Sequence, residues 1–307
     1  MTGPLIAVSN LSKRYGETPA LTELDWTVEP GSVAGVLGPN GAGKTTLAKI
    51  LLGITRPTSG SVSILGHDVR THPEHARQAV GFLPEERVPY GDMRPGTFLK
   101  FYGRFFDSFD GGVARRFLDG WEVPMEPRIR DLSKGNRAKV GLAAVLARRP
   151  LLLMLDEPTV DLDPASSEEV LSLVASWVAD GERSVVLVTH RLESVERVCD
   201  NVLFLNQGKA LAQGDLDDLR GRWKRLTASG PFPAPTELKT WDGVRSVRSA
   251  ESWVDLMVED GSEALAQRLR SAGATDVQVH GVSLRDIYLT LMDYQRGRLD
   301  GVLESLV

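Results

Sequence analysis

Apolar and polar residues alternate through IAVSNLSKRYG and ALTELDWTVEP near the start of the chain, the period-two pattern of strands with one buried face. SVAGVLG then runs as a nearly continuous apolar segment into a glycine-rich turn, and TTLAKILLGI beyond the turn carries helical spacing. The expected order is antiparallel edge strands, then strand, loop and helix. SGSVSILGHDV and GFLPEE read as further short strands, while MRPGTFLKFYGRFF and GGVARRFLDGWEV keep helical spacing with few strand formers. A helical insertion is expected over about residues 86–148, closing with SKGNRAKVGLAAVLARRP, where Val140, Ala143, Ala144 and Ala147 recur at helical intervals. LLLMLDEP and SVVLVTH are continuous apolar runs of the kind found in parallel strands buried on both faces. NVLFLNQGKALAQG, with Gly208 in its turn, reads as a hairpin that completes an α/β region near Asp215.

Beyond it the pattern changes. GDLDDLRGRWKRL predicts a helix, and TASGPFPAP, rich in Pro, Gly and Ser and without periodicity, predicts a linker over about residues 225–235. The expected division is therefore a first domain over residues 1–224 and a C-terminal accessory or regulatory domain over 236–307. In the latter, RSVRSAE, SWVDLMVED and TDVQVHGV are strand-like, whereas SEALAQRLRSAG and LRDIYLTLMDYQR are helical, the mixture of a small α+β unit. No repeat or low-complexity tract interrupts either part.

Composition narrows the class. With 307 residues, 42% apolar and 25% charged, the chain has material for one large globular domain and a smaller one. The longest apolar runs, such as Leu151 to Leu155, fall far short of the ~20 residues that span a bilayer. MTGPLIAVSN has no basic stretch leading into an apolar core, so a secretory leader is not expected and a cytoplasmic location is. The lone cysteine, Cys199, lies in the helix-like ESVERVCD and reads as core packing. A net charge of −5 offers no broad basic field, and no nucleic-acid partner is expected.

The chemistry concentrates in Gly38-Pro39-Asn40-Gly41-Ala42-Gly43-Lys44-Thr45-Thr46, a phosphate-binding loop placed between a predicted strand and a predicted helix. Glycines allow the backbone to wrap a phosphate, and successive amides at a helix N-terminus donate to its oxygens. Lys44 adds positive charge near the β and γ phosphates, and the Thr45 hydroxyl suits Mg²⁺. LLLMLDEP then delivers Asp156 and Glu157 to the carboxyl end of a parallel strand. Asp156 suits the magnesium shell, and Glu157 suits the general base that polarises an attacking water. His67-Asp68 and His72 to His75 lack a zinc spacing and read as a solvated polar connection.

Leu132-Ser133-Lys134-Gly135-Asn136-Arg137 resembles the signature motif of ABC ATPases, and Ser133 also has the character of a helix N-cap. Phosphate loop, LSKGN, LLLMLDEP, the Val160-Asp161-Leu162-Asp163 turn and Thr189-His190 follow the order of an ABC domain. The resemblance implies a P-loop NTPase core with an antiparallel β subdomain and a helical subdomain. It implies ATP and Mg²⁺ as cofactors, His190 as the switch residue at the γ-phosphate and Asp163 as the turn residue linking two sites. Tyr15 is the implied adenine-stacking aromatic, and Ser133 and Gly135 contact ATP bound to an opposite subunit. Glu85 stands where the family usually has glutamine and is a candidate magnesium ligand; Lys134 and Asn136 stand where glycine and glutamine are commonest.

By the same resemblance the chain is the separate ATP-hydrolysing subunit of a membrane transporter, paired as a homodimer or pseudo-dimer and peripheral on the inner face of the membrane. Its membrane contact runs through a transmembrane permease subunit, whose cytoplasmic helix is expected in a groove that includes Val88, Pro89 and Tyr90. Gly281-Val-Ser-Leu-Arg-Asp-Ile-Tyr-Leu-Thr-Leu resembles the closing helix of bacterial multidrug and antibiotic exporter subunits, which points to export of drug-like, antibiotic, lipid or peptide compounds. The alternative is a soluble ABC-type ATPase acting on ribosomes or nucleic acid, although no second cassette, coiled-coil insertion or basic extension is present. A P-loop kinase or GTPase is disfavoured by LSKGN and the Asp156-Glu157 pair.

Overall fold

The computed structural model describes residues 3–85 and 90–296, with side chains to 292, and divides into two compact units, Met1–Gln213 and Gly214–Val307. The first unit opens with β1 (Ile6–Tyr15) and β2 (Thr18–Val28), an antiparallel pair turning at Gly16. β3 (Val33–Leu37) follows with all its residues buried, then α1 (Lys44–Leu51), β4 (Ser59–Ile64) and the two-residue β5 (His67–Asp68). β2-β1-β4-β5 is the antiparallel sheet that the alternating N-terminal pattern predicts.

The segment His72 to His75, expected as a polar connection, instead leads into α2 (Pro73–Ala79). Pro73 occupies the first turn, where a missing amide costs nothing, and Ala76 is buried against the core. The rings of His67 and His75 stack at 4.5 Å on this exposed edge. Among the described residues no group of three or more His, Cys, Asp or Glu side chains is disposed to hold a metal.

β6 (Val80–Leu83) ends just before the helical insertion, which comprises α3 (Pro95–Gly103), α4 (Gly111–Gly120) and α5 (Lys134–Leu146). Phe98, Leu118, Ile129 and Val140 give this insertion a core of its own. β7 (Leu152–Asp156), α6 (Pro164–Trp177), β8 (Ser184–Thr189), α7 (Leu192–Val198), β9 (Asn201–Asn206) and β10 (Lys209–Asp215) complete the main sheet, ordered β10-β9-β3-β8-β7-β6. β3, β6, β7, β8 and β9 pair in parallel. One face packs against α1 and the antiparallel sheet through Leu47, Ile50, Met154 and Val186; the other packs against α5 and α6 through Leu146, Val174, Leu155 and Leu187. Coverage on both faces explains why β7 and β8 read as unbroken apolar runs.

The second unit corrects the expected boundary. α8 (Leu216–Arg222) is short, and the chain enters β11 (Trp223–Ser229) where the sequence pattern predicts the end of a helix and the start of a linker. Leu226 and Ala228 point into the core on one face, and Trp223 is buried on the other, a period-two pattern obscured by the Pro-rich stretch behind it. α9 (Pro235–Leu238), β12 (Val244–Ala250), β13 (Trp253–Glu259), α10 (Ser262–Ser271), β14 (Thr275–Gly281) and α11 (Leu284–Arg296) follow. The sheet order β12-β13-β11-β14, all antiparallel, is a ferredoxin-like split β-α-β arrangement. β11 is one of its two central strands. Among the described residues no helix is long and apolar enough to cross a membrane.

Candidate functional site

The loop between β3 and α1 closes around its own lysine. Lys44 is buried to 8% exposure, and its Nζ donates to the carbonyls of Gly38 at 2.7 Å and Pro39 at 3.2 Å. Gly43 sits at φ 108°, and a Cβ there would lie 2.6 Å from the Ala20 carbonyl oxygen; at Gly38 it would meet the Leu205 carbonyl at 2.1 Å. Gly41 also takes a positive φ, so the turn through Asn40 depends on residues without side-chain constraint. The first turn of α1, holding Thr45 and Thr46, carries no acidic residue and no side-chain cap, so no side chain takes up the amides or offsets the positive end of the helix there. Burial pushes the Lys44 ammonium below its ordinary pKa, against the opposing pull of Glu157, Asp156 and Glu85.

At the carboxyl end of β7, Asp156 is nearly buried, and desolvation together with Glu157 and Glu85 raises its carboxyl to about 6. Glu157 follows with a left-handed backbone, φ 48°, and its amide donates to the Val188 carbonyl at 2.8 Å on the neighbouring β8. Its carboxylate is held from two sides. The Thr189 hydroxyl donates to Oε2 at 2.9 Å, and His190 Nδ1 lies 2.6 Å from Oε1. His190 is half-exposed, leaving the far side of its ring open to solvent. Glu85, just past β6, is exposed and close enough for its charge to bear on both Lys44 and Asp156.

Ser133 caps α5, its hydroxyl accepting from the Asn136 amide at 3.1 Å. Gly135 lies against the start of α6: a Cβ there would meet Ser166 Oγ at 3.0 Å. Asp163 caps α6, accepting from the Ser166 amide at 3.0 Å and the Ser166 hydroxyl at 2.7 Å, and these bonds hold its carboxyl below the usual range. Lys134 Nζ pairs with Asp161 at 2.7 Å, and Lys139 Nζ with Glu169 at 2.6 Å, so α5 is joined both to the turn before α6 and to α6 itself. Tyr15, at the end of β1, is half-exposed with Lys13 Nζ 4.9 Å from its ring centre.

The structure thus brings Asp156, Glu157 and Glu85 into electrostatic reach of Lys44 and joins His190 to Glu157, while Ser133, Gly135 and Asp163 form a second cluster around the α5 and α6 caps. The sequence pattern assigns no role to Thr189 or Arg191. Thr189 clamps Glu157, accepts from the Arg191 amide at 3.0 Å, and Arg191 in turn donates to the Thr159 carbonyl at 2.8 Å. The polar residues that end the apolar run SVVLVTH are the only sequence mark of this support.

A strand-loop-helix phosphate cradle, an acidic pair at the carboxyl end of a parallel strand two places along the same sheet, and a separate helical insertion define an ATP-binding cassette. The ABC transporter family model matches residues 21–160. The Nod factor export ATP-binding protein I of Ralstonia nicotianae is 34% identical over 222 residues, covering 70% of this chain and 68% of that protein. A daunorubicin resistance ATP-binding protein of Streptomyces coeruleorubidus is 32% identical over 296 residues, covering 93% of each. A solved ATP-binding subunit of an ABC transporter superposes with a TM-score of 0.64 at 29% identity, over 71% of this chain and 92% of that one. The chain belongs to the ABC transporter ATP-binding family.

Proposed function

We propose that the chain hydrolyses ATP to drive a membrane exporter whose permease is a separate polypeptide. The observation that carries this reading is the doubly held Glu157 carboxylate beside Asp156 and Lys44. Its fixed Oε1 and Oε2 orient the base for a water attacking the γ-phosphate, and the His190 ring reports on that phosphate through its bond to Glu157. The amides of the loop from Gly38 to Thr46, with Lys44, hold the phosphates; Tyr15 stacks on adenine. Two subunits close face to face, so that Ser133 and Gly135 of each reach nucleotide held by the other and Asp163 lies at their junction.

The donor set fits Mg²⁺ bound together with a triphosphate. Hard oxygen donors are at hand in the Thr45 hydroxyl, Asp156 and Glu85; among the described residues no larger acidic or histidine cluster forms an all-protein cage, in keeping with Mg²⁺ held by one or two carboxylates and the phosphates of its nucleotide. The cation would supply charge neutralisation on the phosphates; Asp156 and Glu85 would orient it.

Export of a drug-like compound is supported by the daunorubicin resistance relative, whose match extends through the second unit. For the permease contact, Val88 and Pro89 lie outside the described residues, but Tyr90 is exposed and its ring meets Phe101 at 4.9 Å, with the exposed Phe105 a further 5.1 Å along. This row of aromatic faces suits an apolar cytoplasmic helix, a contact that would hold the subunit against the inner face of the membrane. The reading as a soluble ribosome-associated factor has no support among these relatives.

The test is Mg²⁺-dependent ATP hydrolysis by the purified chain and its Glu157→Gln variant, with sedimentation in parallel. Turnover in the wild type, its loss in the variant and an ATP-dependent dimer of the variant are expected. A variant that hydrolyses ATP as fast as the wild type overturns the assignment of Glu157.

A further inference from the structure

The phosphate cradle is out of balance in charge. Glu157, Asp156 and Glu85 all act on Lys44, and Asp156 is repelled by the other two carboxylates and drawn by only two cations, Lys44 and Lys49. A triphosphate adds further negative charge to this half-site, and one divalent cation offsets only part of the sum.

Another cation stands beside the residues that the sandwich reading places against the opposite subunit's nucleotide. Lys134 lies between Ser133 and Gly135 and is the first residue of α5; its side chain is 57% exposed, and its Nζ rests 2.7 Å from Asp161 Oδ2. Asp161 is exposed to the same degree, 58%, so the pair is bathed in water and weakly held. An ammonium in such a pair transfers readily to a stronger, less hydrated anion, because charge-assisted contacts gain as water is excluded.

We propose that Lys134 is a phosphate-binding residue that acts on the opposite subunit: Asp161 holds its ammonium in the open chain, and closure passes it to the terminal phosphate of ATP in the facing cradle, where it balances Glu85, Asp156 and Glu157. This rests on the ATP-sandwiched pair proposed above. The ion pair is then a restraint on closure, and its two members have opposite effects on dimerisation.

That opposition is the test. Sedimentation of the full chain against a rising concentration of a non-hydrolysable ATP analogue, in the presence of Mg²⁺, gives the concentration at half-dimerisation for the wild type, Lys134→Ala and Asp161→Asn. Lys134→Ala is expected to raise it about tenfold or more. Asp161→Asn keeps a residue that tolerates the left-handed backbone at φ 59° and frees the lysine, so it is expected to lower the concentration severalfold. In a Glu85→Gln background the Lys134→Ala penalty shrinks, since one of the charges it balances is gone. If the pair serves only to brace α5 against the turn, both substitutions move the midpoint in the same direction, and the proposal is overturned. Equal midpoints in all three proteins overturn it too. A wild type that hydrolyses ATP but never dimerises with the non-hydrolysable analogue bound overturns the sandwich itself, and the exchange with it.

Discussion

Thr189 holds Glu157 by a 2.9 Å hydrogen bond from its hydroxyl to Oε2, across the two parallel strands that end at the phosphate cradle. Because Glu157 has a left-handed backbone and is nearly buried, its carboxylate has few alternative positions, and Thr189 selects one of them together with His190. The bond spans 32 residues of sequence, yet the strand register makes the two residues near neighbours.

Replacing the hydroxyl while keeping the shape isolates that clamp. Thr189→Val is expected to lower kcat about tenfold to a hundredfold with little change in the ATP concentration for half-saturation, because the base is misaligned while the cradle is untouched. Steady-state hydrolysis rates decide it; an unchanged kcat means that His190 alone orients Glu157.

The phosphate loop has no room for a methyl group at Gly43. Gly43→Ala must relieve a 2.6 Å approach to the Ala20 carbonyl and adopt φ 108°, so a loss of about 1–3 kcal/mol in stability is expected along with loss of ATP binding. Chemical denaturation and nucleotide titration of the variant measure both.

Asp156 sets a pH dependence of definite sign. Its carboxyl is raised from 3.8 to about 6 in the folded chain, so the folded state holds this proton to higher pH than the unfolded state does. Its contribution to stability is therefore greatest at acid pH and is lost as pH rises through about 4 to 6. With Asp156 as the proposed magnesium ligand, metal affinity is expected to run the other way, increasing as its carboxyl ionises. Thermal unfolding of the nucleotide-free chain between pH 5 and pH 7.5 is expected to lose that component of its slope in Asp156→Asn, and Mg²⁺ titrations over the same range to strengthen with pH only in the wild type.

Cys199 packs against Gly35, where a Cβ would meet its Sγ at 3.0 Å, and burial raises its thiol well above the ordinary range. The folded chain should react with a thiol-specific reagent far more slowly than the denatured chain. Rapid labelling under native conditions would contradict the packing of α7 on β3.

The legible parts of the site are those whose chemistry constrains consecutive residues. A loop that wraps phosphate must place its glycines and lysine at fixed intervals, and a strand buried on both faces must be apolar until it delivers Asp156 and Glu157. Support from a distance leaves no such trace: Thr189 and Arg191 matter through neighbours more than 30 residues away, known only once the order of strands is known. The pattern likewise predicts no element at α6, although Val170, Leu171 and Val174 bury one side of it, since its exposed face is dominated by serine and glutamate. At α2, a proline and histidines suggest a connection, and a single buried alanine anchors a helix instead.

β11 carries a practical consequence for anyone dividing this protein. Cutting at residue 224 or 235, where the Pro-rich stretch invites it, removes a central strand from the C-terminal sheet or leaves that strand dangling from the ATPase fragment, with Leu226 and Ala228 stripped of their partners on β13 and β14. Fragments meant to fold separately must part near Gly214, upstream of α8, so that the short helix, Trp223 and the whole sheet travel together.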